Sequence, residues 1–186
     1  MKLKNKKLLT SALMMGLGTS VIYVFSAKAP FIGIELIGVS PDIFGLYNLI
    51  PSAGLIAGSL FATWLAGKYA PLQLLKTGVI ASLVATFAML IPFALGAPTM
   101  LSLFLPMTLI LGVESIVFAN ISSFGLSTAK NKSNASAMLN CVNMSTAVVA
   151  VFLSETLMPE NPIYLPIAFT LFFFLMLLLY YRLKRI

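Results

Sequence analysis

The sequence predicts an all-α membrane protein with six transmembrane helices. Of its 186 residues, 60% are apolar and only 9% are charged, and the mean hydropathy is +1.02. A soluble globular chain carries about 25% charged residues, because its folded surface faces water. The apolar residues also cluster into long stretches, and the basic residues lie at the ends of those stretches. Such a chain cannot cover an ordinary water-facing surface, so we expect its apolar faces to meet lipid.

Six stretches are long enough to cross a membrane. About 20 apolar residues span a hydrocarbon core near 30 Å, at 1.5 Å per residue, and the fourth stretch is long enough to tilt. The predicted helices are Leu8–Ala27, Ile43–Ala66, Gln73–Leu95, Met100–Thr128, Ala135–Met158 and Ile163–Tyr181. Proline and glycine mark most of the breaks between them, at 28–42, 67–72, 96–99, 129–134 and 159–162.

The basic residues predict the orientation of the chain. If the N-terminus is cytoplasmic, eleven of the 12 basic residues fall on the inner side, and only Lys28 falls outside. The outer side also holds Glu35, Asp42 and Glu160. We therefore expect a cytoplasmic basic N-terminus (1–7), a six-helix domain (8–181) and a cytoplasmic basic C-terminus (182–186) in the cell inner (plasma) membrane. We therefore expect the net charge of +7 to favour contact with an anionic membrane face, and we expect no binding of nucleic acid.

The start of the chain also resembles a secretory signal. A lysine cluster precedes the first apolar run, and Ala27-Lys28-Ala29 has the spacing of a cleavage site. The apolar run is longer than the 7–15 residues typical of a signal, and Pro30 would follow the cut directly. We expect the first helix to be retained.

Polar side chains inside the predicted helices recur at helical spacing. Lipid offers no hydrogen bonds, so such groups face other helices or a water-filled cavity. The stripes are Thr19, Tyr23 and Ser26 in the first helix, Asn48, Ser52, Ser59 and Thr63 in the second, and Ser136, Asn140 and Asn143 in the fifth. We take Tyr23, Asn48, Ser52, Asn140 and Asn143 as candidate residues of a substrate cavity. The alternative is that these groups only hold helices together, through bonds worth about 0.6 kcal/mol on average.

Small residues suggest where helices pack or break. Gly54, Gly58 and Ala62 form a face of the second helix that is suited to close contact. Glycine and proline also interrupt the first and fourth helices, at Gly16, Gly18, Pro30, Pro106 and Gly112. The first and fourth helices correspond if the chain is built from two three-helix repeats, and paired interruptions then point to a binding site between the repeats.

Glu114 is the sharpest functional candidate. It lies near the middle of the fourth helix, with no basic residue at comparable depth. An ionised side chain at that depth costs at least about 2.5–3.5 kcal/mol. The carboxyl is therefore protonated, wetted by a cavity or paired with another chain, which makes Glu114 a candidate for proton coupling. The alternative is a protonated carboxyl that hydrogen-bonds to a neighbouring helix for packing. Glu155, nearer the outer end of the fifth helix, can reach the interface.

The sequence offers little for enzyme chemistry. It has no histidine, no paired aspartates within the helices, and no nucleophile at helical spacing from a basic partner. The single cysteine, Cys141, cannot form an internal disulfide and falls within the fifth helix. We expect no enzyme activity, no metal site and no cofactor.

Several stretches are similar to the major facilitator superfamily. Residues 23–32 (Tyr-Val-Phe-Ser-Ala-Lys-Ala-Pro-Phe-Ile) and 38–46 (Gly-Val-Ser-Pro-Asp-Ile-Phe-Gly-Leu) resemble the seventh helix, outer loop and start of the eighth helix in its drug:proton antiporters. Within that family they resemble the bacterial drug-resistance group that includes the bicyclomycin exporters. Residues 134–139 (Asn-Ala-Ser-Ala-Met-Leu) resemble the small-residue motif that opens the eleventh helix. The inner loop at Lys68 departs from the family by lacking an acid, and Glu114 matches no family motif.

The resemblance implies a function as well as a fold. It implies the C-terminal half of a twelve-helix transporter, with six helices arranged as two three-helix inverted repeats. Such a half would help export small hydrophobic or amphipathic compounds in exchange for protons. A lone half cannot enclose a path, so we expect a homodimer or a separately encoded N-terminal half, besides membrane lipid and a small-molecule substrate. Two alternatives stay open: an inactive remnant of a truncated or split transporter, and a membrane scaffold or partner subunit.

Overall fold

The computed structural model describes residues 6–127, 129–157 and 161–185, and these residues form seven α-helices and one π-helical segment. The α-helices are α1 (Lys6–Pro30), α2 (Pro41–Tyr47), α3 (Leu49–Leu65), α4 (Pro71–Ala94), α5 (Met100–Ser127), α6 (Lys132–Leu157) and α7 (Tyr164–Arg185). The π-helical segment (Phe31–Leu36) extends α1, and α2 with α3 makes one run. Six spans are therefore long and apolar enough to cross a membrane. The first span is α1 with the π-helical segment, the second is α2 with α3, and the third to sixth are α4, α5, α6 and α7. The predicted all-α, multi-pass architecture is confirmed.

The first span is longer than predicted, and the expected break at 28–42 is wrong over its first part. Pro30 has helical φ and ψ angles of −60° and −44°, and the helix continues through it although proline lacks an N–H. The chain continues as the π-helical segment, where the N–H of Ile37 donates to the carbonyl of Ile32 at 3.0 Å. Gly38, at φ +82°, then turns the chain. The side chain of Ser40 accepts a hydrogen bond from the N–H of Ile43 and begins α2.

The other helix ends differ from prediction by a few residues. The second span consists of two helices, because a single turn residue, Asn48, separates α2 from α3. α7 continues through Arg185 and α1 begins at Lys6, so parts of both predicted basic tails are helical. Thr128 and Met158, the predicted last residues of the fourth and fifth helices, lie outside the described residues.

The first span occupies the centre of the helix packing. α1 packs on α6, α7 and α5, while α5 also packs on α3 and α4, and α4 packs on α7. In the first span, 72% of an 18-residue apolar stretch is buried, which is the largest share among the six spans. The corresponding shares in the second and fifth spans, 11% and 22%, are the smallest. The second and fifth spans therefore lie at the edge of the bundle, each held mainly by one neighbour.

Glycines bring the backbones of α3 and α5 together. A Cβ on Gly54 would overlap the carbonyl of Thr108, and one on Gly58 would overlap the carbonyl of Gly112. Gly54, Gly58 and Ala62 are all buried. The predicted contact face of the second helix is therefore confirmed.

The predicted interruptions at Gly16, Gly18, Pro106 and Gly112 are wrong, whereas directly after Pro30 the α-helix gives way to the π-helical segment. α1 runs without a break through Gly16 and Gly18, and α5 runs through Pro106 and Gly112. The glycines serve close packing instead: a Cβ on Gly16 would lie 2.5 Å from the Cβ of Thr146 on α6. A missing side chain here shortens the distance between helices and leaves the helix itself intact.

Candidate functional site

The polar stripe predicted for the second span lies on one exposed face. Asn48, Ser52, Ser59 and Thr63 are all exposed. The hydroxyls of Ser52, Ser59 and Thr63 donate to carbonyls four residues earlier in the chain, at 3.2, 2.8 and 3.1 Å. These bonds use the hydroxyl proton and leave the oxygen able to accept, so the face offers acceptors to a ligand.

The polar stripe predicted for the fifth span divides between two environments. Asn140 is exposed, and its amide nitrogen donates to the carbonyl of Ser136 at 3.1 Å. Asn143 is only 1% exposed, and its Oδ1 has no hydrogen-bond partner among the described residues. Asn143 follows Leu139 and precedes Ala147 at four-residue spacing, and all three are buried on one face of α6, the helix that packs most closely on α1. Asn140 thus stays a candidate for an open cavity, and Asn143 lies within the helix packing.

The polar stripe of the first span also divides. Thr19 is buried, whereas Tyr23 is 48% exposed and Ser26 is exposed. The ring of Tyr23 lines an apolar groove between α1 and α6. Four of the five predicted cavity residues, Tyr23, Asn48, Ser52 and Asn140, therefore lie on exposed surfaces of the first, second and fifth spans.

Glu114 lies inside the bundle. Its side chain is 5% exposed, and its Oε1 accepts a hydrogen bond from the hydroxyl of Ser82 on α4 at 3.3 Å. Its Oε2 fills the space beside the Cα of Gly18 on α1, where a Cβ would overlap it. The methyl of Met176 on α7 reaches the same space, 3.9 Å from the position of that Cβ. The carboxyl is thus enclosed where four spans meet.

The structure does not bring Glu114 to the predicted cavity residues. The next residue, Ser115, points to α3, where a Cβ added to Gly58 would overlap its hydroxyl, so Ser115 marks the contact between the two helices. Glu114 points away from that contact, towards α1 and α4. The exposed polar face and the buried carboxyl are therefore two separate features of the molecule.

The exposed faces of α4 and α7 are apolar along most of their length. Between Ile80 and Ala94 every exposed residue of α4 is apolar, and the same is true of α7 between Ile167 and Leu178. These faces suit contact with lipid chains. The second and fifth spans instead expose polar side chains within their helices, at Ser52, Ser59 and Asn140.

Sequence reasoning missed the partners of Glu114. Ser82 is fully buried, and Thr86, one turn later, is also buried and donates to the carbonyl of Ser82 at 2.8 Å. The signal was present, because two hydroxyl residues four apart in an apolar helix mark one face. Their direction depends on how α4 is rotated against α5, and the sequence of α4 alone does not fix that rotation.

No protein-family model matches the chain, and no curated protein sequence matches it. Among the described residues, no group of three or more histidine, cysteine, aspartate or glutamate side chains is placed to hold a metal ion. A functional assignment therefore depends on the exposed polar face and on the buried carboxyl of Glu114.

Proposed function

We propose that this chain is one half of a secondary active transporter of the major facilitator type, located in the cell inner membrane with both termini in the cytoplasm. It would export small hydrophobic or amphipathic compounds in exchange for protons. A second copy or a separately encoded N-terminal half would complete the transport path. Substrate would contact the face that carries Tyr23, Asn48, Ser52 and Asn140.

The distribution of exposed polar groups carries this proposal. The second and fifth spans are the least buried and expose Asn48, Ser52 and Asn140, whereas the exposed faces of α4 and α7 are apolar. Polar side chains within membranes usually face a bundle interior or a water-filled cavity. A partner that covers the second and fifth spans would supply that interior, and the apolar faces would stay in contact with lipid.

The packing of the spans agrees with two three-helix repeats. In such repeats the first span corresponds to the fourth, the second to the fifth and the third to the sixth. The contact between the first and fifth spans then has its counterpart in the contact between the fourth and second, and the contact between the third and fourth has its counterpart in that between the sixth and first. The other main contacts, between the first and fourth spans and between the third and sixth, are their own counterparts. Repeats of this kind place substrate sites near the membrane midplane in transporters.

Glu114 supplies the proton-coupling part of the proposal. It is an intramembrane carboxyl between α1, α4 and α5, the kind of group that marks proton relays in pumps and transporters. Because it lies away from the exposed polar face, its protonation would act through the packing of these helices and not by direct contact with substrate. The Ser82 hydroxyl would hold the carboxyl in position.

Drug accumulation in cells tests this function. Cells that lack their own exporters would express the chain alone, with an N-terminal counterpart, or as Glu114→Gln with each. We expect lowered accumulation that disappears when the proton gradient is collapsed and in Glu114→Gln. Glu35→Gln is the matched control, because Glu35 is exposed near the end of the first span and should leave export unchanged.

The same experiment separates the alternatives. If accumulation falls only when both halves are expressed together, the chain is one half of a split transporter. If membrane insertion is confirmed but accumulation falls in none of these cells, the export proposal is wrong. The scaffold alternative is favoured by the hydroxyls of Ser52, Ser59 and Thr63, which bond their own helix as packing residues do. It predicts stable co-purification with an unrelated membrane protein and no effect of Glu114→Gln.

A further inference from the structure

An apolar groove between the first and fifth spans ends at an ion pair. The groove has a volume of about 560 Å³ and is open to the outside of the bundle. At its end, Nζ of Lys28 donates to Oε2 of Glu155 at 2.9 Å. The groove is lined by Tyr23, Met144, Val148, Val151, Phe152 and Glu155.

One wall of the groove follows a single face of α6. Met144, Val148, Val151 and Glu155 recur at spacings of three and four residues and so share that face. At 1.5 Å per residue, the distance from Met144 to Glu155 along the helix is about 16 Å. Its volume lies within the range of about 300–1,000 Å³ that is typical of small-molecule sites.

The charged side chain in the groove lining is the acidic one of the ion pair. Glu155 lines the groove, whereas Lys28 approaches the carboxylate from α1. The other lining residues named above are apolar apart from the hydroxyl of Tyr23. The side chains of Glu155 and Lys28 are 49% and 21% exposed, and ion pairs between partly exposed groups are weak. A second cation can therefore replace Lys28 beside Glu155 at little cost.

We propose that this groove binds an amphipathic organic cation. The charged group of the ligand takes the place of Lys28 beside Glu155, and its apolar body lies along Met144, Val148 and Phe152. Lys28 acts as a built-in competitor that neutralises the carboxylate when no ligand is bound. This inference rests on the proposed function, since it names the substrate class, but binding is measurable without transport.

A pair of ions with the same shape and opposite charge tests the site. The full chain, purified in a non-ionic detergent, would be titrated with tetraphenylphosphonium and with tetraphenylborate. We expect Glu155→Gln to weaken phosphonium binding about fivefold, the upper range for a partly exposed charge pair, and not to weaken borate binding, because the freed Lys28 attracts an anion. Lys28→Gln should strengthen phosphonium binding, because it removes the competing cation.

A charge-swapped variant separates binding from folding. Lys28→Glu with Glu155→Lys keeps an ion pair between α1 and α6 but places the positive charge in the groove lining. We expect this double variant to match the thermal stability of the native chain and to lose phosphonium binding. A merely structural ion pair would instead leave phosphonium binding unchanged in the swap.

Two results would overturn the inference. One is the absence of phosphonium binding to the native chain. The other is binding of both ions that is insensitive to Glu155→Gln, as expected if the groove holds a lipid chain or a helix of a partner. Phosphonium binding through Glu155 without export, either by the chain alone or with its counterpart, keeps the inference and defeats the proposed function. Proton-driven export that is unaffected by Glu155→Gln and Lys28→Gln, with no phosphonium binding, supports the proposed function and overturns the inference.

Discussion

Glu114 and Gly18 share one space between the fourth and first spans. The carboxyl of Glu114 occupies the volume that a side chain on Gly18 would need, and Ser82 donates to its other oxygen from the third span. A single acidic side chain therefore contacts two other helices inside the bundle. Its position depends on the absence of a Cβ at residue 18.

This contact predicts coupling between the two residues. Gly18→Ala should lower the free energy of unfolding by about 1–3 kcal/mol, because the new methyl overlaps Oε2 of Glu114. In a Glu114→Ala background the same change should be neutral or stabilising, since the space is then empty and alanine favours the helix. Thermal unfolding of the four proteins in detergent gives the coupling energy. Equal destabilisation of both backgrounds would show that the two residues do not compete for space.

The contact between α3 and α5 predicts a sharp effect of a single methyl group. Gly58→Ala should destabilise the chain by about 1–3 kcal/mol, because the Cβ overlaps the carbonyl of Gly112, and backbone cannot move aside as a flexible side chain can. Gly45→Ala is the matched control, since an added Cβ there meets nothing within 4 Å. The measurement is the midpoint of thermal unfolding. If both variants unfold at the same temperature, the two backbones are further apart than the structure has them.

The unpaired amide of Asn143 predicts a stabilising substitution. Asn143→Leu keeps the branched shape of the side chain and removes a buried oxygen that has no partner among the described residues. We expect the free energy of unfolding to rise by about 1–3 kcal/mol, the usual cost of an unsatisfied buried polar group. Asn140→Leu is the control, since Asn140 is exposed and should give a smaller change. A loss of stability in Asn143→Leu would mean that a further group satisfies the amide in the membrane.

The two kinds of exposed surface predict different reactivity towards a water-soluble maleimide. In a Cys141→Ala background, Ser52→Cys and Asn140→Cys should react, because a water-filled cavity lets the thiol ionise. Val84→Cys and Leu171→Cys, on the exposed apolar faces, should stay unreacted in lipid. Labelling of membranes followed by mass measurement gives the extent of reaction. Equal reactivity of all four positions would remove the main support for a cavity on the second and fifth spans.

The sequence predicted some parts of the candidate site better than others. Asn48 and Ser52 lie on the same exposed face, as helical spacing requires. The spacing between Asn140 and Asn143 also predicted that they share a face, and the two residues are about 60° apart around the helix axis. The edge of the contact with α1 falls between them, so Asn143 is buried and Asn140 is exposed. Spacing fixes which residues are neighbours on a helix, and it does not locate the boundary between a packed face and an open one.

The amino-acid sequence alone determined that this protein is a bundle of six membrane-spanning helices, because hydrophobic length and charge density are properties of each segment by itself. It also identified Glu114, since an acidic residue in the middle of an apolar run is costly wherever that run packs. Only the tertiary structure showed that Glu114 faces Gly18 and Ser82, that Glu155 pairs with Lys28, and that Pro30 lies within a continuous span. These relationships depend on how each helix is rotated and which neighbours it meets. Side-chain packing between distant segments sets that rotation, so no single segment contains it.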